Sequence, residues 1–319
     1  MNRTMSRIRF SHVWVVVLVC GVTAFGQGRQ GAPAPNGASA GAPQAPGQGG
    51  RGARGGGQAR PRTRKVVLAW ADTRNGIAQH DSTSHALAVI ERLGYESGTY
   101  DTYIRTDSNI VAEKPLMTTG QPASGGPSLA TVDAIFFMGH RDVPLEAQQR
   151  AELAAFVREQ GKGFVAAHVA LTAFEGWPEF GDLLGGRYDE HPWNTASGTI
   201  VNEDPTFPAT RHFPATFPFV DEFYQAKNVS RASARVLLRL DVSKMPPNAQ
   251  LRNADFPLAW AKTYGKGRVF YSSLGHASET WDNRDVAQMY FEAIKWALGV
   301  TDGDATPRPL SPGDARTNR

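Results

Sequence analysis

From Lys65 onward the apolar positions come in short solid runs with polar segments between them. Val66, Val67, Leu68, Ala69 and Trp70 form one such run, as a strand covered on both faces requires. The polar stretch from Asp72 to Asp81 follows as a loop. Ser82 or Thr83 can then cap a helix in which Ala86, Val89, Ile90 and Leu93 share one face and Gly94 is the stop. Gly98 to Ile104 predicts a second strand. Ala134 to Met138 predicts a third, entering a loop of Gly139, His140, Arg141 and Asp142. Pro144 opens a helix with Leu153, Phe156 and Val157 on one side and Gly161 at its end. Gly163 to Ala167 is a fourth buried strand that runs straight into His168.

Strands alternating with helices of this length imply an α/β fold: a mostly parallel sheet with right-handed crossovers and helices on both faces. The second half is less regular. It offers short strands near Thr199 to Asn202 and Ala234 to Leu240, then an antiparallel hairpin within Pro257 to His276 that turns at Gly265, Lys266 and Gly267. A last helix places Val286, Met289, Tyr290, Ala293 and Ala297 on one face, with Gly299 after it. Residues 65–299 thus read as one domain, followed by a polar tail over 300–319.

The first 64 residues are of another kind. Val13 to Phe25 is apolar and preceded by Arg3, Arg7 and Arg9. It falls short of the roughly 20 residues that span a bilayer, and reads as a signal peptide over 1–26, cleaved after Gly26 or Ala24; an uncleaved anchor is the alternative. Residues 27–64 are Gly, Ala, Pro, Gln and Arg with almost nothing to bury, and read as a disordered linker. The expectation is a periplasmic or secreted protein with no transmembrane helix once the signal is removed. Oligomeric state has no signature in the sequence.

Charge and cysteine narrow the chemistry. The chain carries +4 overall, yet residues 1–65 hold ten basic residues and no acidic one, leaving 24 basic against 30 acidic beyond them. A domain of net −6 argues against a nucleic-acid partner. Cys20 is the one cysteine and lies in the signal segment, so the mature protein has no disulfide, thiolate metal site or cysteine nucleophile.

Ligands of open α/β sheets bind beyond the carboxyl ends of the strands. His80 lies in the loop after the first strand, His140 and His168 just after the third and fourth, and His276 at the end of RVFYSSLG. These four are expected at one edge. FVDEFYQ contributes Asp221, Glu222 and Tyr224; if extended, Glu222 and Tyr224 share one face. His191, with Pro192, Trp193 and Asn194, suits sugar recognition by stacking and hydrogen bonding, and Trp281 and Trp177 offer further aromatic surfaces. Imidazoles near neutrality suit proton transfer beside a carbonyl. His80, His168, His191, His276 and Glu222 are equally a possible divalent-metal set, although no H-E-x-x-H pair brings two ligands together.

The ordered set HD (80–81), GH (139–140), GKGFVAAH (161–168), WPEFGDLLGG (177–186), HP (191–192), DEFY (221–224), PLAW (257–260) and GRVFYSSLGH (267–276) resembles the ThuA-like domain of trehalose utilisation, over roughly Lys65 to Gly299. The resemblance implies a flavodoxin-like, class I glutamine amidotransferase-like fold and a small carbohydrate as partner, a disaccharide or its keto form. In that fold a cysteine follows a strand and a downstream histidine completes its triad. Here His168 stands at the cysteine's position, and His276 resembles the triad histidine, with Glu279 three residues on. An imidazole cannot form the thioester, so amide transfer is excluded. The expected site has His168, His276 and Glu222 catalytic, with His80, Asp81, His140, His191, Asp221, Tyr224 and Trp281 binding substrate. No cofactor is required by this reading; a metal-dependent hydrolase and a non-catalytic glycan-binding scaffold are its alternatives.

Overall fold

The computed structural model describes residues 64–74, 80–117, 119–141 and 145–309. The expected signal peptide, Cys20, nearly all of the linker, Asp142, Pro144 and the end of the tail lie outside them. In chain order the elements are β1 (Lys65–Trp70), α1 (Ser82–Ser97), β2 (Tyr100–Arg105), β3 (Ala134–Phe137), α2 (Ala147–Arg158), β4 (Gly163–Ala167), α3 (Pro178–Leu184), β5 (Arg187–Glu190) and β6 (Thr195–Asn202). They continue with β7 (Thr216–Glu222), β8 (Gln225–Lys227), β9 (Arg235–Leu240), β10 (Pro257–Tyr264), β11 (Gly267–Ser272), α4 (Ser278–Asp282) and α5 (Arg284–Ala297).

Period-two alternation in the strands builds two cores, one on each face of the sheet. Val67 and Ala69 of β1 pack with Ala86 and Ile90 of α1 and Met289 and Tyr290 of α5. Val66, Leu68 and Trp70 pack with Phe156 of α2 and Phe180 of α3. The large sheet has nine strands in the order β2-β1-β3-β4-β11-β10-β9-β6-β7. Its first five are parallel, giving the flavodoxin-like order and the switch point between β1 and β3 at which such sheets bind ligands. The hairpin β10–β11 then reverses direction, and β9, β6 and β7 continue antiparallel. A separate two-stranded antiparallel sheet joins β5 to β8.

Three helix boundaries differ from the sequence expectation. Gly94 does not end α1: a Cβ there would sit 2.3 Å from the Tyr100 ring, so the glycine lets that ring lie against the helix. The stop is Gly98, left-handed at φ +65°, whose N–H reaches Tyr95 O. Asp81, rather than Ser82 or Thr83, occupies the N-cap position, and Ser82 instead donates to Gly275 O at 2.9 Å. The second helix begins at Ala147, where Glu146 and Gln149 form a capping box. Among the described residues no helix is long and apolar enough to cross a membrane.

Candidate functional site

β1, β3, β4 and β11 end at one edge, and the segments that follow deliver His80, His140, His168 and His276 there. The antiparallel half reaches the same place through the end of β7, where Asp221 and Glu222 are buried. His168 is the first residue after β4. It is fully buried and left-handed at φ +42°, unusual for a side chain of this size. Its carbonyl accepts from Tyr271 Oη at 2.9 Å, its Nδ1 lies 2.6 Å from Ser273 O, and the Tyr224 ring stacks on it at 4.2 Å.

With the Nδ1 proton assigned to the Ser273 carbonyl, His168 Nε2 presents a lone pair. It stands 3.3 Å from His80 Nε2 and 3.4 Å from Glu222 Oε2. The same carboxylate oxygen is 3.1 Å from His276 Nδ1 and 3.9 Å from His80 Nε2. All four atoms lie within 4.8 Å of one another. His276 Nδ1 is buried and meets Glu222 as an ion-pair contact rather than an aligned hydrogen bond. Ligand atoms at roughly 2.0–2.2 Å from a tetrahedral ion stand about 3.3–3.6 Å apart. The separations of 3.1, 3.3 and 3.4 Å lie near that spacing while the 3.9 Å one is wider, and the His168–Ser273 contact is the kind of outer bond that fixes a ligating imidazole.

The charges agree with a shared centre. Burial opposes ionisation of Glu222, but the surrounding imidazoles of His168, His276 and His80 outweigh it and hold the carboxyl far below the usual range. Burial keeps His168 neutral by lowering its pKa, against the pull of Glu222. His276 moves the other way, raised chiefly by Glu222. His140 is pushed down to about 4 by burial and by the neighbouring cations and imidazoles.

A pocket of about 420 Å³ opens onto this cluster, within the roughly 300–1,000 Å³ range of small-molecule sites. Of the residues expected to bind substrate, His80, His140, His191 and Tyr224 line it together with Glu222. His191 Nε2 is 3.8 Å from Glu222 Oε1, outside the four-atom cluster, and its Nδ1 contacts the Tyr188 hydroxyl. Five expected site residues do not line it: His168 and His276 of the cluster, and Asp221, Trp281 and Asp81. Asp221 is buried beneath, accepting from Gly275 N at 2.8 Å, His276 N at 3.1 Å and Thr280 Oγ1 at 3.3 Å. Trp281 is fully buried, donates to Gly275 O at 3.1 Å and stacks on Tyr290. Asp81 is exposed at the head of α1. Trp177 packs with Phe174 and Phe180. Of these, Asp221 and Trp281 support the Gly275–His276 segment rather than lining the pocket.

Seven further wall residues, among them Arg141, Glu175, Arg187, Tyr188 and Lys227, escaped the sequence reading. Tyr188 lies three positions before His191, and Arg141 directly follows His140, so proximity to a histidine was the one available signal. The backbone marks the site more plainly. Among the described residues the non-glycines at positive φ are Arg141, His168, Phe174, Asn194 and Asn228. Each is a site residue or lies within three positions of one. Left-handed non-glycine backbone costs of order 1–3 kcal/mol and gathers at functional sites.

The model of the ThuA family, described as trehalose utilisation, matches residues 66–297. A ThuA-like protein from Bacteroides uniformis superposes with a TM-score of 0.59 at 20% identity, covering 79% of this chain and 99% of that one. A second, from Parabacteroides merdae, gives 0.55 at 14% identity, with 79% and 94% covered. At these identities the two relatives share the fold. No curated protein matches the sequence.

Proposed function

We infer, on the premise that this chain belongs to the ThuA, trehalose utilisation, family, that its pocket is a metal-dependent site acting on a small carbohydrate. The family gives the carbohydrate-related role. The convergence of His80, His168, Glu222 and His276 within 4.8 Å carries the rest. A divalent ion held there supplies Lewis-acid polarisation of a sugar hydroxyl or carbonyl oxygen.

The other steps fall to side chains. Burial raises the pKa of the Tyr188 hydroxyl, and the charges of Glu190 and Glu222 raise it further, so the hydroxyl stays protonated and can donate a hydrogen bond to a substrate oxygen. His191 contacts that hydroxyl through Nδ1 and faces Glu222 through Nε2, which suits it to pass a proton between pocket and cluster. Tyr224, stacked on His168, fixes the ring and closes one wall. The substrate class these groups suit is a disaccharide or keto-glycoside, with proton transfer at a carbon or hydroxyl beside the carbonyl. His168 therefore serves as a ligand rather than as the proton carrier that its place in the sequence suggests.

Glutamine amidotransfer is outside this reading, since no cysteine lies within the family region. The arginine-led apolar run Val13 to Phe25 supports export to the periplasm or beyond, which N-terminal sequencing of the mature protein tests. For the activity, protein supplied with a divalent metal is incubated with keto-glycosides and disaccharides. The expected result is turnover that a chelator stops and added metal restores. Turnover indifferent to chelator would return the site to metal-free His/Glu acid–base chemistry, and saturable binding without product would leave a glycan-binding scaffold.

A further inference from the structure

The pocket has two electrical poles. At its inner end His80 and Glu222 bring the four-residue cluster to its lining, although His168 and His276 do not line it themselves. Its mouth carries Arg141, Arg187 and Lys227 against one carboxylate, Glu175. None of these three cations has a carboxylate within 4.0 Å among the described residues, whereas most half-buried arginines elsewhere do. Arg231, for example, pairs with both Glu203 and Asp255, and Arg235 with Asp204.

Two of the mouth cations are held against each other. In the small sheet Arg187 of β5 pairs directly with Lys227 of β8, and like charges directly opposite across an antiparallel pair destabilise it. The Arg187 guanidinium is spent on the carbonyls of Ala173, Phe174 and Trp177, so it keeps its full charge at the wall. Lys227 is exposed beside it. The third cation, Arg141, sits on strained backbone at φ +46°, pinned by its N–H to Thr172 Oγ1 at 3.2 Å and by Phe174 N–H to its carbonyl at 3.0 Å. A neutral sugar gives this arrangement nothing to neutralise. An oxyanion at the mouth would relieve the like-charge pair and employ the arginine.

We propose that the mouth is an anion subsite, so that the carbohydrate taken by this pocket carries an acidic group held by Arg141 and Lys227 while its hydroxyl or carbonyl oxygens reach the histidine cluster. The shared chemistry is a sugar oxyanion; a carboxylate, a sulfate and a phosphate are its three sources. The inference rests on the carbohydrate reading above but not on turnover.

The test is calorimetric titration of the full chain with glucose, glucuronate, glucose 6-sulfate, glucose 6-phosphate and inorganic sulfate, repeated with R141Q, K227Q and the double variant. Both positions are exposed, so folding is expected to survive, and far-UV dichroism checks it. At least one acidic sugar should bind about tenfold or more tightly than glucose, an advantage near 1.4 kcal/mol. That advantage should shrink at high salt and vanish in the double variant. The acidic sugar that shows it identifies the oxyanion. Equal binding of glucose and every acidic sugar overturns the proposal and leaves the carbohydrate reading intact. A preference that survives the double substitution also overturns it, since chelation at the inner cluster would then be its cause. Inorganic sulfate binding that the double variant loses, with no sugar bound, supports the subsite and overturns the carbohydrate reading. Binding of none of the probes overturns the subsite.

Discussion

Asp221 holds the backbone of His276: its Oδ1 accepts the His276 N–H at 3.1 Å, while the adjacent Glu222 meets the His276 imidazole at 3.1 Å. Two successive residues at the end of β7 thus fix one histidine from both sides, Asp221 through the main chain and Glu222 through the ring.

Replacing Asp221 by Asn tests the first hold. The amide nitrogen cannot accept from the Gly275 and Thr280 donors that now share Oδ2. The expected loss of stability is about 1–3 kcal/mol, with metal affinity falling at least tenfold as His276 drifts. Urea melts and metal titration of D221N check both. Unchanged metal affinity would mean that the His276 loop stands without Asp221.

Gly275 is a second support. It adopts φ +142°, and a Cβ there would come 3.0 Å from the Trp281 ring and 3.4 Å from His168 Cβ. G275A should destabilise by about 1–3 kcal/mol and disturb the site. G176A, where nothing lies within 4 Å of the added carbon, should stay within about 0.5 kcal/mol of the parent. Thermal melts of the pair separate steric cost from general glycine loss.

Tyr188 supplies a prediction for chemistry alone. Y188F removes the hydroxyl that contacts His191, and turnover should fall roughly 10²–10⁴-fold with metal stoichiometry and melting temperature kept. Full turnover in Y188F would assign the proton step elsewhere.

A pH effect on stability follows from Asp204, buried between Arg235 and Thr206. Burial alone would raise its pKa, but the hydrogen bonds from Arg235 and Thr206 more than offset it, and the value lies below 3.8. As pH falls, the unfolded chain therefore takes the proton first. The stabilisation is complete above pH 3.8 and is lost as pH drops through the folded-state value. Urea unfolding across this acid range should show a steeper loss for the parent than for D204N. Parallel curves would contradict the assignment.

The parallel half of the fold was legible because a strand buried on both faces must be written as an unbroken apolar run, and β1, β3 and β4 are so written. The place of the histidines followed from the strands that end before them. Trp281 misled because an aromatic beside a site histidine reads the same whether it faces the ligand or the core; burial under Gly275 is a tertiary fact. Gly94 misled similarly, since a glycine that admits the Tyr100 ring cannot be told from a helix stop by its neighbours. Arg141, Tyr188 and Lys227 were unreadable because strained backbone and the small β5–β8 sheet bring them to the pocket, and neither leaves a periodic trace. The joint aim of four ligand atoms at one point likewise exists only in three dimensions.

Metal stoichiometry tests that joint aim most directly. After equilibrium dialysis against zinc or manganese and removal of free ion, elemental analysis should give about one divalent ion per chain in the parent, and close to none in H168A, E222Q and H276A. A parent that retains no more metal than these three variants would contradict the metal centre and the function built on it.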